Sequence, residues 1–337
     1  MTDPENRCVL LNARPAGVPG PEIFDIVTRP ADPVGDGEFR VRNLYLSIDP
    51  TMRGWVNNAP NYSPPVPVGD VMRAFAVGEI VESNHPDYAI GDRVSGTFGW
   101  QRFAVNDGTD VMRKLTAADT SPAAALGMLG LNGLTAYFGL LETCAPKAGE
   151  TLVVSTAAGA VGPCVGQFAR IMGCRTVGTA GGPDKAQTCL DDFGYDYAID
   201  YKNTPDLDSA LKHACPDGID MYFDNTSGAI SDAVFGHLAV GARITICGTA
   251  SIQDWNPLPL GPRVHRQLLV ARARMTGFLI HDYADRYPEA VARLSAWLDS
   301  REITAREHIL KGFDEAPAAL QMLYRGENTG KLLIEVD

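Results

Sequence analysis

The chain has 337 residues, 45% of them hydrophobic, and carries a formal net charge of -12 at pH 7 with an isoelectric point near 5.0. Nucleic-acid and anionic-membrane surfaces need clustered Lys and Arg, so this acidic balance argues against both kinds of partner. No apolar run approaches the roughly eighteen residues of a membrane span, and the start MTDPENR lacks an apolar signal segment, so we expect a cytoplasmic protein.

Residues 1 to 129 predict a partly closed β domain. Short alternating segments such as FRVRNLYLSI and FAVGEIVES are typical of half-buried strands, and many Gly and Pro turns separate them. Long helical patterns are few in this stretch.

Residues 130 to 301 predict a doubly wound α/β domain, because apolar strands alternate with helical patterns from about Glu150 onwards. The strands are predicted at TLVVST, RTVGTA, YAIDY, DMYFDN, ARITICG and RMTGFLI. The last helix is predicted from Pro288 to Asp299. The ending GKLLIEVD predicts another strand, and we expect residues 302 to 337 to return to the β domain.

Cysteine and histidine spacing gives no support for a metal site. The seven cysteines are scattered singly without a C-x-x-C pair, and the six histidines form no H-x-x-x-H cluster. Most cysteines sit within apolar patterns, where a free thiol behaves as a small hydrophobe. We therefore expect structural cysteines and no bound metal.

The segment from 151 to 170 runs from a buried strand through a turn of small residues into a helix. Ala157, Gly159 and Gly162 stand where the dinucleotide fingerprint G-x-G-x-x-G has its glycines. Small residues there let the backbone approach a pyrophosphate at the helix N-terminus. We predict a nicotinamide dinucleotide held by Ala158, Gly159, Ala160, Val161 and Gly162. The alternative is a tight turn that binds nothing, since a lone motif is weakly specific.

The residues after the second strand favour NADPH. An NAD-preferring fold places Asp or Glu there to bind the ribose hydroxyl, whereas this chain has Gly178-Thr179-Ala180-Gly181-Gly182. Lys185 follows, and its ammonium could pair with a ribose phosphate. The alternative for Lys185 is an ordinary solvated lysine at a helix start.

Several further motifs stand in order along nearly the whole chain. They are LYLSIDPTMRGW (44 to 55), VGDVMRAFAVGEIVES (68 to 83), GMLGLNGLTAYFGL (127 to 140), STAAGAVG (155 to 162), IDYK (199 to 202), DMYFDNTSG (220 to 228), ITICGTAS (244 to 251) and GENTGKLLIEV (326 to 336). Together they resemble the zinc-independent medium-chain dehydrogenase/reductases, which include prostaglandin reductases, plant alkenal double-bond reductases and bacterial curcumin reductase. The G-H-E ligand motif and four-cysteine lobe of zinc-dependent relatives are missing. The resemblance implies that residues 1 to 129 form a GroES-like β domain that holds the substrate, and that residues 130 to 301 form a Rossmann domain that binds NADPH.

The resemblance also implies a set of cofactor-binding residues. Lys185 and Tyr201 match residues that contact the 2'-phosphate, in agreement with the charge argument, and Gly181 lies beside them. The ribose and nicotinamide would be lined by Asn225, Cys247, Gly248, Phe278, Leu279, Ile280 and, from the other domain, Asn328. The alternatives are turn residues for Asn225 and Asn328, and core packing for Phe278.

The chemistry that the resemblance implies is hydride transfer from NADPH to the β-carbon of an α,β-unsaturated aldehyde or ketone, followed by protonation. Tyr62 matches a suspected donor of the curcumin-reductase type. A second family tyrosine is replaced by His281, so His281, Tyr283 or water could supply the proton, and histidine as a residue type titrates near neutrality. The alternative for His281 is a partly exposed strand end, and for the two tyrosines it is packing at a domain boundary.

The same motifs imply an apolar substrate pocket that faces an interdomain cleft. Its expected residues are Tyr45, Met52, Tyr62, Met128 and Asn132, with core packing as the alternative. Two other functions stay open: an NADPH-dependent quinone oxidoreductase, and a non-catalytic NADPH-binding protein. Because related reductases are commonly homodimers, a homodimer is also expected, in which an exposed strand such as ITICGTAS could extend the sheet across a two-fold axis; the alternative is a monomer.

Overall fold

The computed structural model describes residues 4–59, 61–116, 119, 121–252 and 259–337. These residues form two compact units. The first joins Met1–Leu126 to Glu307–Asp337, and the second is Gly127–Arg306. Within the described ranges, no helix combines the length and the apolar composition needed to cross a membrane.

Short strands dominate the part of the first unit that precedes Gly127. They are β1 (Glu5–Leu11), β2 (Phe24–Pro30), β3 (Phe39–Ser47), β4 (Phe75–Ser83), β5 (Arg93–Thr97), β6 (Phe103–Asn106) and β7 (Val111–Lys114), with one short helix, α1 (Met52–Val56).

Strands and helices alternate in the second unit. In chain order they are α2 (Leu131–Phe138), β8 (Thr151–Ser155), α3 (Gly162–Ile171), β9 (Arg175–Ala180), α4 (Pro183–Asp191), β10 (Tyr197–Asp200), α5 (Leu207–Ala214), β11 (Ile219–Asp224), α6 (Gly228–Val234), β12 (Leu238–Ile246), α7 (His265–Ala271), β13 (Arg274–Gly277) and α8 (Tyr287–Asp299). A π-helical segment, Gly139–Cys144, extends α2, and a 3-10 helix, Ile280–Arg286, precedes α8. The chain then re-enters the first unit as β14 (Glu307–Lys311), α9 (Ala316–Arg325) and β15 (Lys331–Glu335).

The larger sheet of the first unit has the order β14-β15-β3-β4-β5-β7, with β6 also paired to β3, and β1 and β2 form a separate antiparallel pair. The last strand, β15, lies between β14 and β3, parallel to the first and antiparallel to the second. Phe39, Leu46, Trp100 and Ile334 are all buried in one apolar core, so the tail strand shares the core of the early strands.

A buried ion pair anchors β15 to this unit. Lys331 is almost fully buried, and its Nζ donates to Ile48 O (2.8 Å) and to Asp49 Oδ1 (2.7 Å). Ser47 Oγ donates to the other carboxylate oxygen of Asp49. Both partners of the pair therefore have their hydrogen bonds satisfied inside the unit.

The sheet of the second unit is parallel, with the order β10-β9-β8-β11-β12-β13. All five residues of β8 are buried, as a central parallel strand requires. The chain order along the sheet reverses between β8 and β11. Open α/β sheets bind ligands beyond the carboxyl ends of their strands at this kind of reversal.

Two strand predictions differ from the structure. The segment RMTGFLI was expected to be one strand, but β13 ends at Gly277, because its partner β12 ends opposite at Ile246 and offers no further backbone groups. The strand within ITICGTAS belongs to β12, which pairs with β11 on one side and β13 on the other. It therefore cannot extend the sheet to a second molecule, and β13 is the outermost strand on that side of the described sheet.

All seven cysteines, which lie in the described ranges, are free thiols. Six are buried, and Cys247 is partly buried. In the described part of the chain, no three His, Cys, Asp or Glu side chains are grouped so that they could hold a metal ion.

Candidate functional site

The turn between β8 and α3 presents the N-terminus of a ten-residue helix. No side chain caps this end, and Pro163 stands in its first turn. The first N–H groups of a helix have no partner within the helix, and the helix dipole is positive there. The end of α3 is therefore suited to an anionic group such as a pyrophosphate.

Two glycines of this turn have no room for a side chain. A Cβ on Gly162 would lie 2.3 Å from Thr156 O and 2.7 Å from Ala157 Cα. A Cβ on Gly159 would lie 2.7 Å from Thr156 Cγ2. Thr156 has a φ of 55°, which is rare for a β-branched residue, so the backbone is folded tightly here. The small residues are required by the turn itself.

Lys185, Tyr201 and Gly181 lie together at the carboxyl ends of β9 and β10. A Cβ on Gly181 would lie 2.9 Å from Tyr201 Oη and 3.1 Å from Lys202 Cε. Burial, and then the charge of Lys202, lower the pKa of the Lys185 ammonium. Tyr201 and Lys202 therefore lie against Gly181, and the charge of Lys202 is felt at Lys185, an arrangement that suits a phosphate dianion.

Lys202 is a residue that the sequence analysis does not select, although it ends the IDYK motif. The nearby Asp200 carboxylate accepts hydrogen bonds from the N–H groups of Gly182 (2.8 Å) and Lys202 (3.1 Å), and from Asn203 Nδ2 (2.6 Å). These hydrogen bonds hold the pKa of Asp200 below its ordinary value, and the bond from the Asn203 amide has the largest effect. The carboxylate thus shapes the loop that carries both Tyr201 and Lys202.

Asn225, Cys247 and Gly248 gather at the sheet reversal. Asn225 Nδ2 donates to Ser155 O (2.7 Å), and its N–H donates to Ser155 Oγ (2.8 Å). The N–H groups of Cys247 and Gly248 donate to Asp224 O at 2.8 and 3.1 Å. A Cβ on Gly248 would lie 3.0 Å from Asn225 O, so the two turns touch. The structure brings these predicted nicotinamide-end residues together at the ends of β8, β11 and β12.

The segment from Phe278 to Ile280 follows β13. The Phe278 ring packs against the helix α2 extension, since a Cβ on Gly139 would lie 2.6 Å from Phe278 Cζ. Leu279 is exposed and Ile280 is partly buried. Phe278 therefore has a packing role whatever ligand it meets.

The candidate proton donors have different surroundings. Tyr62 belongs to the first unit, is 53% exposed, and has its hydroxyl 2.5 Å from Thr51 Oγ1. His281 and Tyr283 belong to the second unit and lie on the 3-10 helix, so His281 is not at a strand end. The Tyr283 ring stacks on Phe138, with centroids 4.8 Å apart, whereas His281 is exposed.

The remaining predicted residues are mostly buried. In the first unit, Met52 lies in the apolar core, Tyr45 Oη is 3.5 Å from Glu335 Oε1, and Asn328 Nδ2 donates to Gly330 O (2.9 Å). In the second unit, Met128 and Asn132 are buried at the start of α2. Their substrate and cofactor roles stay predictions, and Met52 and Met128 have packing roles in any case.

The turn of small residues, the paired lysines and the reversal-point residues together fit a dinucleotide that carries an additional ribose phosphate. Gly159 and Gly162 leave the space that its backbone contacts require, and Lys185 and Lys202 supply two positive charges.

The chain is similar to known proteins over nearly its whole length. Residues 7–114 match the family model described as the N-terminal domain of oxidoreductase, and residues 160–296 match the model described as zinc-binding dehydrogenase. The NADPH-dependent curcumin reductase of Escherichia coli is 41% identical, over 98% of this chain and 97% of the relative. The NADP(+)-dependent 2-alkenal reductase of Nicotiana tabacum is 36% identical, over 98% and 97%. The crystal structure of CurA from Vibrio vulnificus in complex with NADPH has a TM-score of 0.92 and 39% identity, covering 98% of this chain and 99% of that one.

Proposed function

Because the chain belongs to the zinc-independent medium-chain dehydrogenase/reductase family and is an NADPH-dependent reductase, we propose that it reduces the carbon–carbon double bond of α,β-unsaturated aldehydes and ketones. The observation that carries the proposal is similarity over nearly the whole chain to reductases named for curcumin and for 2-alkenals. Both substrates conjugate an alkene with a carbonyl group.

The reaction divides its tasks between cofactor and protein. NADPH, when bound, would supply the hydride that the β-carbon accepts. The alkene π pair then forms a double bond between the α-carbon and the carbonyl carbon, the carbonyl π pair moves to oxygen, and the resulting enolate takes a proton at the α-carbon. The protein must hold the alkene near the nicotinamide, donate a hydrogen bond to the developing oxyanion, and admit a proton. The second unit would bind NADPH, and the first unit would hold the substrate.

Tyr62 is our first choice for the oxyanion donor. Its exposed side chain is available to a ligand, and the Thr51 hydroxyl 2.5 Å away holds the phenol in one place. If the Thr51 hydroxyl donates to the phenol oxygen, the Tyr62 hydroxyl keeps its own proton available to donate to a substrate carbonyl oxygen. Tyr62 needs no change of charge to perform this role.

His281 and Tyr283 are the competing donors. His281 is exposed and would exchange protons with solvent readily, whereas Tyr283 is held by its stack on Phe138. A histidine donor would give a pH-dependent turnover near neutrality, and a tyrosine donor would not. The pH profiles of His281→Ala, Tyr283→Phe and Tyr62→Phe therefore separate the three.

Turnover of a small substrate panel tests the proposal. NADPH oxidation should be followed with an alkenal, an aryl enone, a quinone and a saturated ketone, and the products identified by mass spectrometry. We expect saturated carbonyl products from the alkenal and enone only. Reduction of the quinone alone would move the function to a quinone oxidoreductase, and tight NADPH binding without any turnover would make the protein a non-catalytic NADPH-binding protein.

We further propose that two copies pair through β13. This strand is outermost in the described sheet, Met275 on it is exposed, and Leu269 and Val270 on the adjoining helix α7 are exposed as well. An outer strand offers unpaired N–H and C=O groups to a symmetry mate. Met275→Lys should place a charge in the pairing surface and lower the molar mass measured by light scattering from that of a dimer to that of a monomer. Ile309→Lys, on β14 of the other sheet, should leave the dimer intact. A monomeric wild-type protein would refute the pairing.

A further inference from the structure

A buried carboxylate stands at the carboxyl end of β11. Asp224 is 1% exposed, and in the described part of the chain no Lys, Arg or His side chain pairs with it. Its two oxygens instead accept hydrogen bonds from neutral groups: Tyr222 Oη (3.1 Å), Thr226 N (2.9 Å), Ser227 N (2.7 Å), Ser155 Oγ (3.4 Å) and Ser231 Oγ (2.6 Å). Every neighbour acts as a donor, which is the environment that an ionised carboxylate requires.

Hydrogen bonds link Asp224 to the residues that are predicted to line the nicotinamide. The main-chain oxygen of Asp224 accepts the N–H groups of Cys247 and Gly248. Its side chain accepts from Ser155 Oγ, and that same hydroxyl accepts the N–H of Asn225. Asp224 thus connects the three strand ends at the sheet reversal.

The charge of Asp224 acts on its neighbours. Burial, and then the negative charge of Asp224, raise the pKa of the Cys247 thiol to about 12. The same two causes raise the pKa of the Tyr222 phenol. Neutral hydrogen-bond donors disperse a carboxylate's charge without cancelling it, so a negative potential extends to the surface formed by Asn225, Cys247 and Gly248.

The nicotinamide ring is neutral in NADPH and carries a positive charge once the hydride has left. We propose that Asp224 supplies a fixed negative charge that stabilises the oxidised nicotinamide over the reduced one and so promotes hydride donation. The inference rests on the proposed placement of the nicotinamide at the reversal point. The residues that would touch the cofactor are Asn225, Cys247 and Gly248. Asp224 would act on the nicotinamide through them, by its charge, and is therefore a positioning residue.

The substitution Asp224→Asn removes the charge and keeps the shape. The amide oxygen can still accept the hydrogen bonds made to Oδ1, and the amide nitrogen can donate to Ser231 Oγ, whose hydroxyl can turn to accept. Dissociation constants for NADP+ and NADPH are then measured by calorimetry without substrate. We expect the ratio of the NADP+ to the NADPH constant to rise roughly tenfold, as for a unit charge about 10 Å away at an effective dielectric constant of about 20.

Two control variants separate charge from shape. Asp220→Asn removes a carboxylate near the opposite end of β11, where it accepts the Thr151 N–H (2.9 Å), and should leave the ratio unchanged. Ser155→Ala removes the hydroxyl that accepts the Asn225 N–H, and it should weaken the binding of NADP+ and of NADPH by the same factor.

An unchanged ratio in a folded Asp224→Asn protein would overturn the proposal. Should that variant fail to fold, Thr226→Lys places an ammonium beside the carboxylate from a partly exposed position, and the ratio should again rise. No change in this variant would equally count against the proposal. Because no alkene is present, the result is independent of the substrate panel, where the proposed reaction itself succeeds or fails.

Discussion

The methyl group of Ala157 fills the space beside Gly178 on the neighbouring strand. A Cβ built on Gly178 would lie 2.6 Å from Ala157 Cβ, and Ala157 N donates to Thr179 O (3.0 Å) on the same strand. The first position of the glycine fingerprint therefore tolerates alanine here because the adjacent strand lacks a side chain. Alanine at this position of the motif is accommodated by the packing of the two strands, while Gly159 and Gly162 keep the tight turn.

Gly178→Ala should destabilise the protein by about 1 to 3 kcal/mol, the usual cost of overpacking a filled interior. The double variant Ala157→Gly/Gly178→Ala should recover part of this loss, because the new methyl group takes the vacated space. Urea unfolding of both variants and of Ala157→Gly gives the double-mutant cycle. Additive effects would show that the two positions do not compete for space.

Lys185→Ala and Lys202→Ala should each raise the KM for NADPH much more than the KM for NADH. The reason is that NADPH alone carries the 2'-phosphate that both ammonium groups would face. Steady-state kinetics with both cofactors measures the effect, and Lys212→Ala on α5 serves as a control of equal charge change. Equal effects on the two cofactors would remove the phosphate assignment.

Tyr62→Phe should lower kcat about 10²-fold or more, as loss of an oxyanion donor does, and leave the dissociation constant of NADPH nearly unchanged. Thr51→Val should give a smaller loss in kcat, because it removes the hydroxyl 2.5 Å from the phenol and keeps the donor. Tyr88→Phe, in the same unit, controls for loss of a hydroxyl. Full activity of Tyr62→Phe on several enones would exclude Tyr62 as the donor.

Glu150 and Arg243 should make the stability of the protein depend on pH in the acid range. Arg243 Nη1 and Nη2 lie 2.8 and 2.5 Å from the two carboxylate oxygens of Glu150, and these bonds hold the pKa of Glu150 below its ordinary value. A lowered pKa stabilises the folded state above the unfolded pKa of about 4.3, and this contribution is lost as the pH falls through the folded pKa.

Glu150→Gln should therefore cost about 1.5 to 3 kcal/mol at pH 7, the range for a hydrogen bond to a charged group. The deficit should shrink as the pH is lowered from about 5 towards the folded pKa. Urea unfolding across this range provides the measurement. Glu289→Gln removes an exposed ion pair with Arg286 that also lowers the pKa of Glu289, so its deficit should change with pH in the same direction but be much smaller, because solvent screens the pair. A deficit that is constant with pH would contradict the assignment.

The amino-acid sequence predicted the alternation of strands and helices well where burial is complete. β8 could be predicted because a parallel strand that is covered on both faces has a continuous apolar sequence. The end of β13 was not readable, since it depends on where β12 stops. The length of β13 is set by its pairing with β12, so the sequence of β13 alone does not predict it.

The same limit applies to the candidate site. Lys185 and Tyr201 could be selected because a motif and a charge argument agreed on them. Lys202 and Asp224 could not, because their significance depends on contacts: Lys202 lies against Gly181, and Asp224 is buried with no cationic partner among the residues that the structure describes.

The interior position of β15 imposes an order on synthesis and folding. Residues 127–306 are contiguous and can complete their unit without any residue of the tail. The earlier residues 1–126 cannot, because β15 fills the place between β14 and β3 and Lys331 neutralises Asp49. The first unit to leave the ribosome is thus the last to be finished, and until Glu335 has emerged it exposes an open strand edge that a chaperone or a neighbouring nascent chain could occupy.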